Sequence, residues 1–176
     1  MNKLNLTRLT FSIFLFLTFH AGASAQSTAF EPHDVKRMFI YHFIKYIEWP
    51  EASNNKFTIG VMNDKQMYEK LQNSFAGTGK DGKKYIVKQI SSAEEVQGLN
   101  LLYIPRNMNR HAEQAIEALK GKPTLVITDR FGMGQKGSCI NFKEGNNTMK
   151  FEMNLQAMQQ AGLKVAGQLK QVAIIL

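Results

Sequence analysis

The chain has 176 residues, of which 44% are hydrophobic and 20% are charged. This balance is typical of one compact globular domain, and it excludes a disordered polymer and a large multidomain enzyme. The formal net charge of +8 would suit an anionic partner.

Residues 1–25 have the pattern of a secretory signal peptide. Basic residues precede an apolar stretch over residues 11–19, and the small residues Ala, Ser and Ala end the segment. The apolar stretch is shorter than the roughly 20 residues that a membrane-spanning helix needs. We therefore expect cleavage after Ala25, export to the periplasm and a mature domain of residues 26–176.

The positive charge is unevenly distributed along this mature domain. Cleavage leaves 20 basic and 14 acidic residues, a net charge of +6, and residues 120–176 hold 8 of the basic and 3 of the acidic ones. Export excludes chromosomal nucleic acid as a partner. Anionic lipid headgroups, an acidic protein surface, a small anion and an ordinary solvated basic surface all remain open.

The first predicted helix begins near Pro32 and ends before Pro50. Apolar side chains recur at helical spacing, and the aromatic ones are Phe39, Tyr41, Phe43, Tyr46 and Trp49. A stripe of this kind usually packs in a core. We expect Tyr41 and Trp49 to reach the surface, where aromatic side chains dominate protein contacts.

Strands and helices then alternate along the middle of the chain. The predicted strands are residues 56–62, 85–90, 99–104 and 123–128. Helices are predicted after Asn63 or Asp64 and from Asn109, with one further helical turn over residues 93–97. This alternation favours a mostly parallel sheet covered on both faces.

The last third predicts a β-hairpin followed by helices. Residues 138–143 and 148–154 are strand-like and are joined by a Gly- and Asn-containing turn. Asn154 predicts the cap of a helix over residues 155–161, and residues 165–176 predict a final helix. The expected fold is a single three-layer α/β domain, with a mixed, mostly parallel sheet and a C-terminal β-hairpin, flanked by helices.

Residues 132–137 spell G-x-G-x-x-G, the pattern of a dinucleotide-binding loop. That site requires a helix directly after the glycines, whereas a strand is predicted here, so we interpret the segment as a flexible turn. Exposed backbone N–H groups in such a turn could still bind a small anion. The candidate ligand-binding residues are Arg130, Gly132, Gly134 and Asn141.

Neither a metal site nor a catalytic site is predicted. The histidines, acids and cysteine lack metal-ligand spacing, and no G-x-S-x-G motif is present. The lone Cys139 cannot form an internal disulfide, and its strand-like surroundings favour a buried thiol. Asp129 and Glu152 are expected to pair with basic residues of the last third. We expect no cofactor, no metal and no enzymatic activity.

Several segments resemble the YfiR-like periplasmic proteins. The first is residues 39–50, FIYHFIKYIEWP, at the opening helix. The others follow in the same order and spacing, and they are residues 57–61, 121–129, 140–142, 151–155 and 161–165. The resemblance covers essentially the whole mature domain.

The resemblance implies an exported regulatory α/β domain, often dimeric, without enzymatic activity. Members act as periplasmic repressors of an inner-membrane diguanylate cyclase, with an outer-membrane lipoprotein as a second partner, and thereby restrain biofilm formation. The residues that we expect to contact a partner are Tyr41, Trp49, Arg130 and Lys136. Two departures are the lone Cys139, where that system carries paired cysteines, and Ala166-Gly167, where a Ser-Ser pair is common.

Overall fold

The structure is a computed structural model, and the residues that it describes are 31–50, 55–75, 77, 79, 82–146 and 148–176. The predicted signal peptide, residues 1–25, and Asn147 of the hairpin turn lie outside the described residues. Among the helices of the described part, none has both the length and the apolar character needed to cross a bilayer.

The described residues form helices and strands that follow the predicted order over residues 65–160. Within the described residues the helices are α1 (Pro32–Tyr46), α2 (Lys65–Ser74), α3 (Asn109–Ala118), α4 (Leu155–Gln160) and α5 (Gly167–Gln171), with a 3₁₀ turn at Ala93–Val96. The strands are β1 (Ile47–Glu48), β2 (Lys56–Met62), β3 (Lys84–Ile90), β4 (Leu101–Ile104), β5 (Leu125–Thr128), β6 (Ile140–Gly145), β7 (Thr148–Met153), β8 (Lys164–Val165) and β9 (Ile174–Ile175).

The central sheet has seven strands in the order β3-β2-β4-β5-β6-β7-β9. The first five of these strands run parallel to one another. Strands β6 and β7 form an antiparallel hairpin, and β9 pairs with β7 in parallel. The predicted fold class, an α/β domain with a mostly parallel sheet and a C-terminal hairpin, is confirmed.

The two faces of the sheet build two separate cores, because side chains alternate along a strand. On β4, Leu101 and Tyr103 belong to the core that also holds buried residues of α1, α2, α4 and α5. Leu102 and Ile104 point the other way, into the core beneath α3 and the 3₁₀ turn. The domain therefore has three layers, as predicted.

Helix α1 ends three residues earlier than the aromatic pattern indicated. Ile47 and Glu48 form strand β1 and pair antiparallel with Val165 and Lys164. The backbone N–H of Ala166 also donates to the carbonyl oxygen of Tyr46 at 3.0 Å. Pairing with this distant segment ends the helix at Tyr46, although the helical spacing of apolar residues continues.

The prediction of a final helix over residues 165–176 is wrong. This segment forms part of β8, the five-residue helix α5 and the edge strand β9. In β9, Ile174 and Ile175 pair with Glu152 and Met153 of β7. Two β-branched residues at the open edge of a sheet favour the extended conformation, and the sequence pattern alone did not show which edge was available.

Gly60 lies on β2 where no side chain fits. A Cβ atom there would lie 2.5 Å from Leu99 Cδ1, 3.0 Å from Ile90 Cγ1 and 3.2 Å from Leu102 Cδ1. We expect Gly60→Ala to lower the free energy of unfolding by about 1–3 kcal/mol, because three buried side chains must shift. Urea denaturation followed by circular dichroism measures the change.

The matched control is Gly167→Ala, because no atom lies within 4 Å of the Cβ position at Gly167. This variant should be neutral or slightly more stable, because alanine favours the helical conformation. A Gly60→Ala protein as stable as the Gly167→Ala protein would contradict the close packing described at Gly60.

Candidate functional site

A buried ion pair joins α1 to the C-terminal ends of the parallel strands, which form one edge of the sheet. The Lys36 Nζ atom lies 2.5 Å from the Asp129 Oδ2 atom, and the two side chains are 4% and 6% exposed. Asp129 directly follows β5, and Lys36 lies in the first half of α1. Either charge alone would be costly to bury, so each residue requires the other.

Further groups complete a charge network around Asp129. The Arg106 guanidinium donates to the Asp129 backbone carbonyl at 3.2 Å and to its carboxylate at 3.4 Å, and it also bonds Glu144 at 3.2 Å. The Tyr103 hydroxyl donates to Asp129 Oδ2 at 3.5 Å. Burial, and then the negative charge of Asp129, raise the pKa of Tyr103, which keeps its hydroxyl protonated as a donor.

The expectation that Asp129 pairs with the basic last third is wrong. Its partners, Lys36 and Arg106, come from α1 and from the residues after β4. Glu152 does pair within the last third, since Lys143 Nζ lies 3.0 Å from its carboxylate. Sequence reasoning missed Lys36, although its spacing of four and seven residues from Ile40 and Phe43 places it on the buried side of α1.

Doubly wound sheets with this strand order commonly bind ligands between the ends of β2 and β4. Here the side-chain amide of Asn63, which follows β2, lies 3.5 Å from the sulfur atom of Met108, which follows β4. Asn63, with φ 45°, donates from its side-chain amide to the Ser91 carbonyl oxygen at 3.2 Å. Asp64 accepts from the Met67 backbone N–H at 2.9 Å, which confirms it as the cap of α2. It also lies 3.1 Å from His33 Nε2.

The glycine segment forms a turn that leads into β6, as predicted. Gly132 and Gly137 have φ values of 82° and 102°, in the region that glycine adopts without strain. Gly134 is buried, and glycine fits there because the surrounding space is small rather than because of its φ value. A Cβ atom at this position would lie 2.6 Å from Leu176 Cδ1 and 3.2 Å from the Glu152 carboxylate.

Asn141 uses its side chain to hold this turn against the sheet. Its Oδ1 atom accepts from the Thr128 hydroxyl at 2.9 Å and from the Arg130 backbone N–H at 3.1 Å. Its Nδ2 atom donates to Glu152 at 2.9 Å. An anion bound at Gly134 and Asn141 would meet the Glu152 carboxylate and would have to displace these bonds. The geometry therefore does not favour a small-anion site.

The two basic candidates near the turn have different surroundings. Lys136 forms an ion pair with Glu113, and this hydrogen bond lowers the pKa of Glu113. Arg130 is half-buried. Between them lies Phe131, which is 89% exposed, with Lys143 Nζ 5.6 Å from its ring centroid. Sequence reasoning missed Phe131, because a single Phe in a glycine turn forms no periodic pattern.

The aromatic candidates on the first helix also differ in exposure. Tyr41 is 51% exposed, and its ring stacks on Phe75 at a centroid distance of 6.1 Å. Met38, one helical turn away, is also 51% exposed, although the apolar periodicity placed it among the core positions. We name Met38 and Tyr41 together the α1 surface.

Trp49 is half-buried and is held by the fold. Its indole N–H donates to the Asn100 carbonyl oxygen at 2.9 Å, and its ring packs edge-on against Phe57 at 4.8 Å. Trp49 therefore has less free surface than we expected for an aromatic residue predicted to reach the surface. It remains a proposed contact through its exposed part alone.

Cys139 is buried, as predicted, and is 3% exposed. Burial raises the pKa of its thiol to about 11, so the reactive thiolate is scarce at neutral pH. In the part of the chain that the structure describes, no three His, Cys, Asp or Glu residues are grouped so as to hold a metal ion.

A family model described as YfiR/HmsC-like matches residues 33–174 of the chain. The chain belongs to the YfiR/HmsC-like family. The match spans α1 through β9, so the YfiR/HmsC-like domain is the three-layer domain described above. The resemblance noted from the sequence is confirmed.

A solved structure shares the fold at low sequence identity. A conserved domain protein from Vibrio cholerae aligns with a TM-score of 0.53 and 14% identity, over 82% of this chain and 60% of that one. The ABC domain in complex with L-Trp from Streptococcus pneumonia aligns with a TM-score of 0.49 and 9% identity, over 68% and 54% of the two chains. No curated protein sequence matches the chain significantly.

The raised thiol pKa of Cys139 predicts slow alkylation in the folded protein. At pH 8 we expect N-ethylmaleimide to modify the native thiol far more slowly than the thiol in urea, where its pKa returns to about 8.5. Mass spectrometry of timed samples measures both rates. Equal rates in the two states would show that the thiol is not buried as described.

The same shift has a consequence at high pH. Burial raises the folded-state pKa of Cys139 to about 11. The neutral thiol therefore contributes fully to the free energy of unfolding below the unfolded-state pKa, and this contribution is lost as the pH rises through the folded-state pKa. The difference in stability between wild type and Cys139→Ala should therefore shrink between about pH 8.5 and pH 11.

Proposed function

We propose that this YfiR/HmsC-like chain acts in the periplasm as a regulatory binding protein. It restrains an inner-membrane signalling protein, a diguanylate cyclase, and thereby limits biofilm formation. Family membership over residues 33–174 supports this proposal. The predicted signal peptide supports a periplasmic location, because such a signal directs export across the inner membrane. From the periplasm the protein can reach the outer face of an inner-membrane partner.

The proposal includes the absence of enzymatic activity. The side chains with the most unusual surroundings, Lys36 and Asp129, are satisfied by each other within the fold. Cys139 has a raised thiol pKa, which is the opposite of what a nucleophile needs. These groups stabilise the domain, and its activity is binding.

The α1 surface is the contact that the geometry supports best. Tyr41 stacks on Phe75, which in turn packs on Tyr85 of the edge strand at 5.1 Å, so the exposed ring is already fixed in one position. A pre-ordered aromatic side chain loses little conformational entropy on binding, and such residues are enriched in binding hot spots. Arg130, Lys136 and Trp49 remain proposed secondary contacts.

Repression then follows from a shift in population. The free protein binds the inactive state of the cyclase more tightly than the active state, and so increases the inactive fraction. An outer-membrane lipoprotein that binds the same protein would compete with the cyclase and release it. A homodimer would present the α1 surface twice and would strengthen binding to a dimeric cyclase.

The variant Met38→Ser with Tyr41→Ala tests the contact. We expect it to fold normally, because both side chains are about half exposed, and to weaken binding to the cyclase roughly 30-fold or more, as loss of a hot spot does. Cells that carry the variant should show raised cyclic di-GMP and increased biofilm. Capture of the cyclase from detergent-solubilised inner membranes measures the binding directly.

Val172→Ser is the matched control, because Val172, the residue that follows α5, is apolar and 66% exposed. It should leave binding and cyclic di-GMP unchanged. If the control loses repression and the α1 variant keeps it, the contact does not lie on α1. If wild-type protein captures no inner-membrane cyclase, the proposed function itself is contradicted.

A further inference from the structure

Lysine side chains lie near the N-terminal ends of the parallel strands, which form one edge of the sheet. Lys56 and Lys84 are the first residues of β2 and β3 and are register partners, so their backbones lie about 4.8 Å apart. Lys122 precedes β5 by three residues, and it lines the same cavity of about 260 Å³ as Lys56. All three side chains are exposed. We name these three residues the lysine edge.

The lysine edge differs from the opposite edge in its charge balance. Where the strands end, Lys36 and Arg106 are paired with Asp129 and Glu144. Where the strands begin, no described carboxylate lies within ion-pair distance of the three lysines of the lysine edge. Because these three lysines are exposed, their ammonium groups can contact an external anionic group.

The arrangement suits a diffuse anionic surface more than a single anion. The three lysines are spread over the width of β3, β2, β4 and β5, which is about 14 Å for three strand spacings. Arginine, whose planar group suits one bidentate partner, is absent from the lysine edge, and lysine acts as a flexible point charge.

Trp49 lies at this same edge. Its indole N–H donates to the carbonyl oxygen of Asn100, the residue that precedes β4, and its ring lines a cavity with Glu48, Lys83 and Tyr85. A half-exposed indole beside lysines is typical of side chains that lie at a membrane–water interface. The edge thus combines positive charge with an amphipathic aromatic group.

We propose that the lysine edge binds the anionic headgroups of a phospholipid bilayer and orients the domain on the membrane surface. The attraction is electrostatic, so it weakens as salt screens the charges. Membrane contact at this edge concentrates the protein near membrane partners. The inference goes beyond the proposed function, and its test contains no partner protein.

The test is sedimentation of the purified protein with vesicles of phosphatidylethanolamine and phosphatidylglycerol, compared with vesicles of phosphatidylcholine alone. We expect binding to the anionic vesicles only, and release at high salt. The fluorescence of Trp49, the one tryptophan of the chain, should shift to shorter wavelength on binding. Brominated lipids should quench it.

The triple variant Lys56→Gln, Lys84→Gln, Lys122→Gln should bind roughly a hundredfold more weakly, since each lysine near an anionic membrane contributes a factor of about five. The matched control replaces three exposed lysines elsewhere, Lys65, Lys150 and Lys170, with Gln and removes the same net charge. It should retain most of the binding.

Four results would overturn the proposal, and three of them come from the vesicle experiment. They are absence of wild-type binding to anionic vesicles, equal loss of binding in the triple variant and its control, and binding without any change in Trp49 fluorescence. Recovery of an acidic protein through the lysine edge, without vesicle binding, would also contradict the membrane assignment. None of these outcomes depends on whether a cyclase is captured in the binding experiment above.

Discussion

The buried ion pair between Lys36 and Asp129 is the interaction on which the arrangement of this domain depends. It fixes α1 to the end of β5 across 93 positions of the chain. Arg106 and Tyr103 bond the same carboxylate and so bring the end of β4 into the network. A salt bridge buried in this way contributes less to net stability than to specificity, because desolvation offsets much of its attraction. Its role here is to hold α1 in one position on the sheet.

The position of α1 determines which of its residues reach solvent. With Lys36 facing the sheet, Ile40 and Phe43 are buried, and Met38 and Tyr41 are exposed. The opposite edge of the sheet carries the three exposed lysines of the lysine edge. In the arrangement that we propose, the lysine edge contacts the membrane and the α1 surface contacts the partner. These two proposed contacts involve different residues, and each is tested separately.

The sequence predicted those features that depend on local pattern. Strand β2 was predicted at its observed bounds, because its apolar residues alternate, and the caps Asp64 and Asn154 are confirmed by hydrogen bonds to Met67 and Ala157. Features that depend on distant pairing were not predictable. Ile174 and Ile175 became a strand because β7 offered an open edge, and Lys36 found a partner that only the folded chain brings near.

A double-mutant cycle on Lys36 and Asp129 tests most directly whether this pair fixes α1. The Lys36→Met and Asp129→Leu variants should each have a free energy of unfolding about 3–5 kcal/mol lower in urea denaturation, because each removes the buried partner of the charge that remains. The double variant should lose much less than the sum of these losses, since no unpaired charge remains. Losses that simply add would show that the two residues are not coupled, and would contradict the role assigned to the pair.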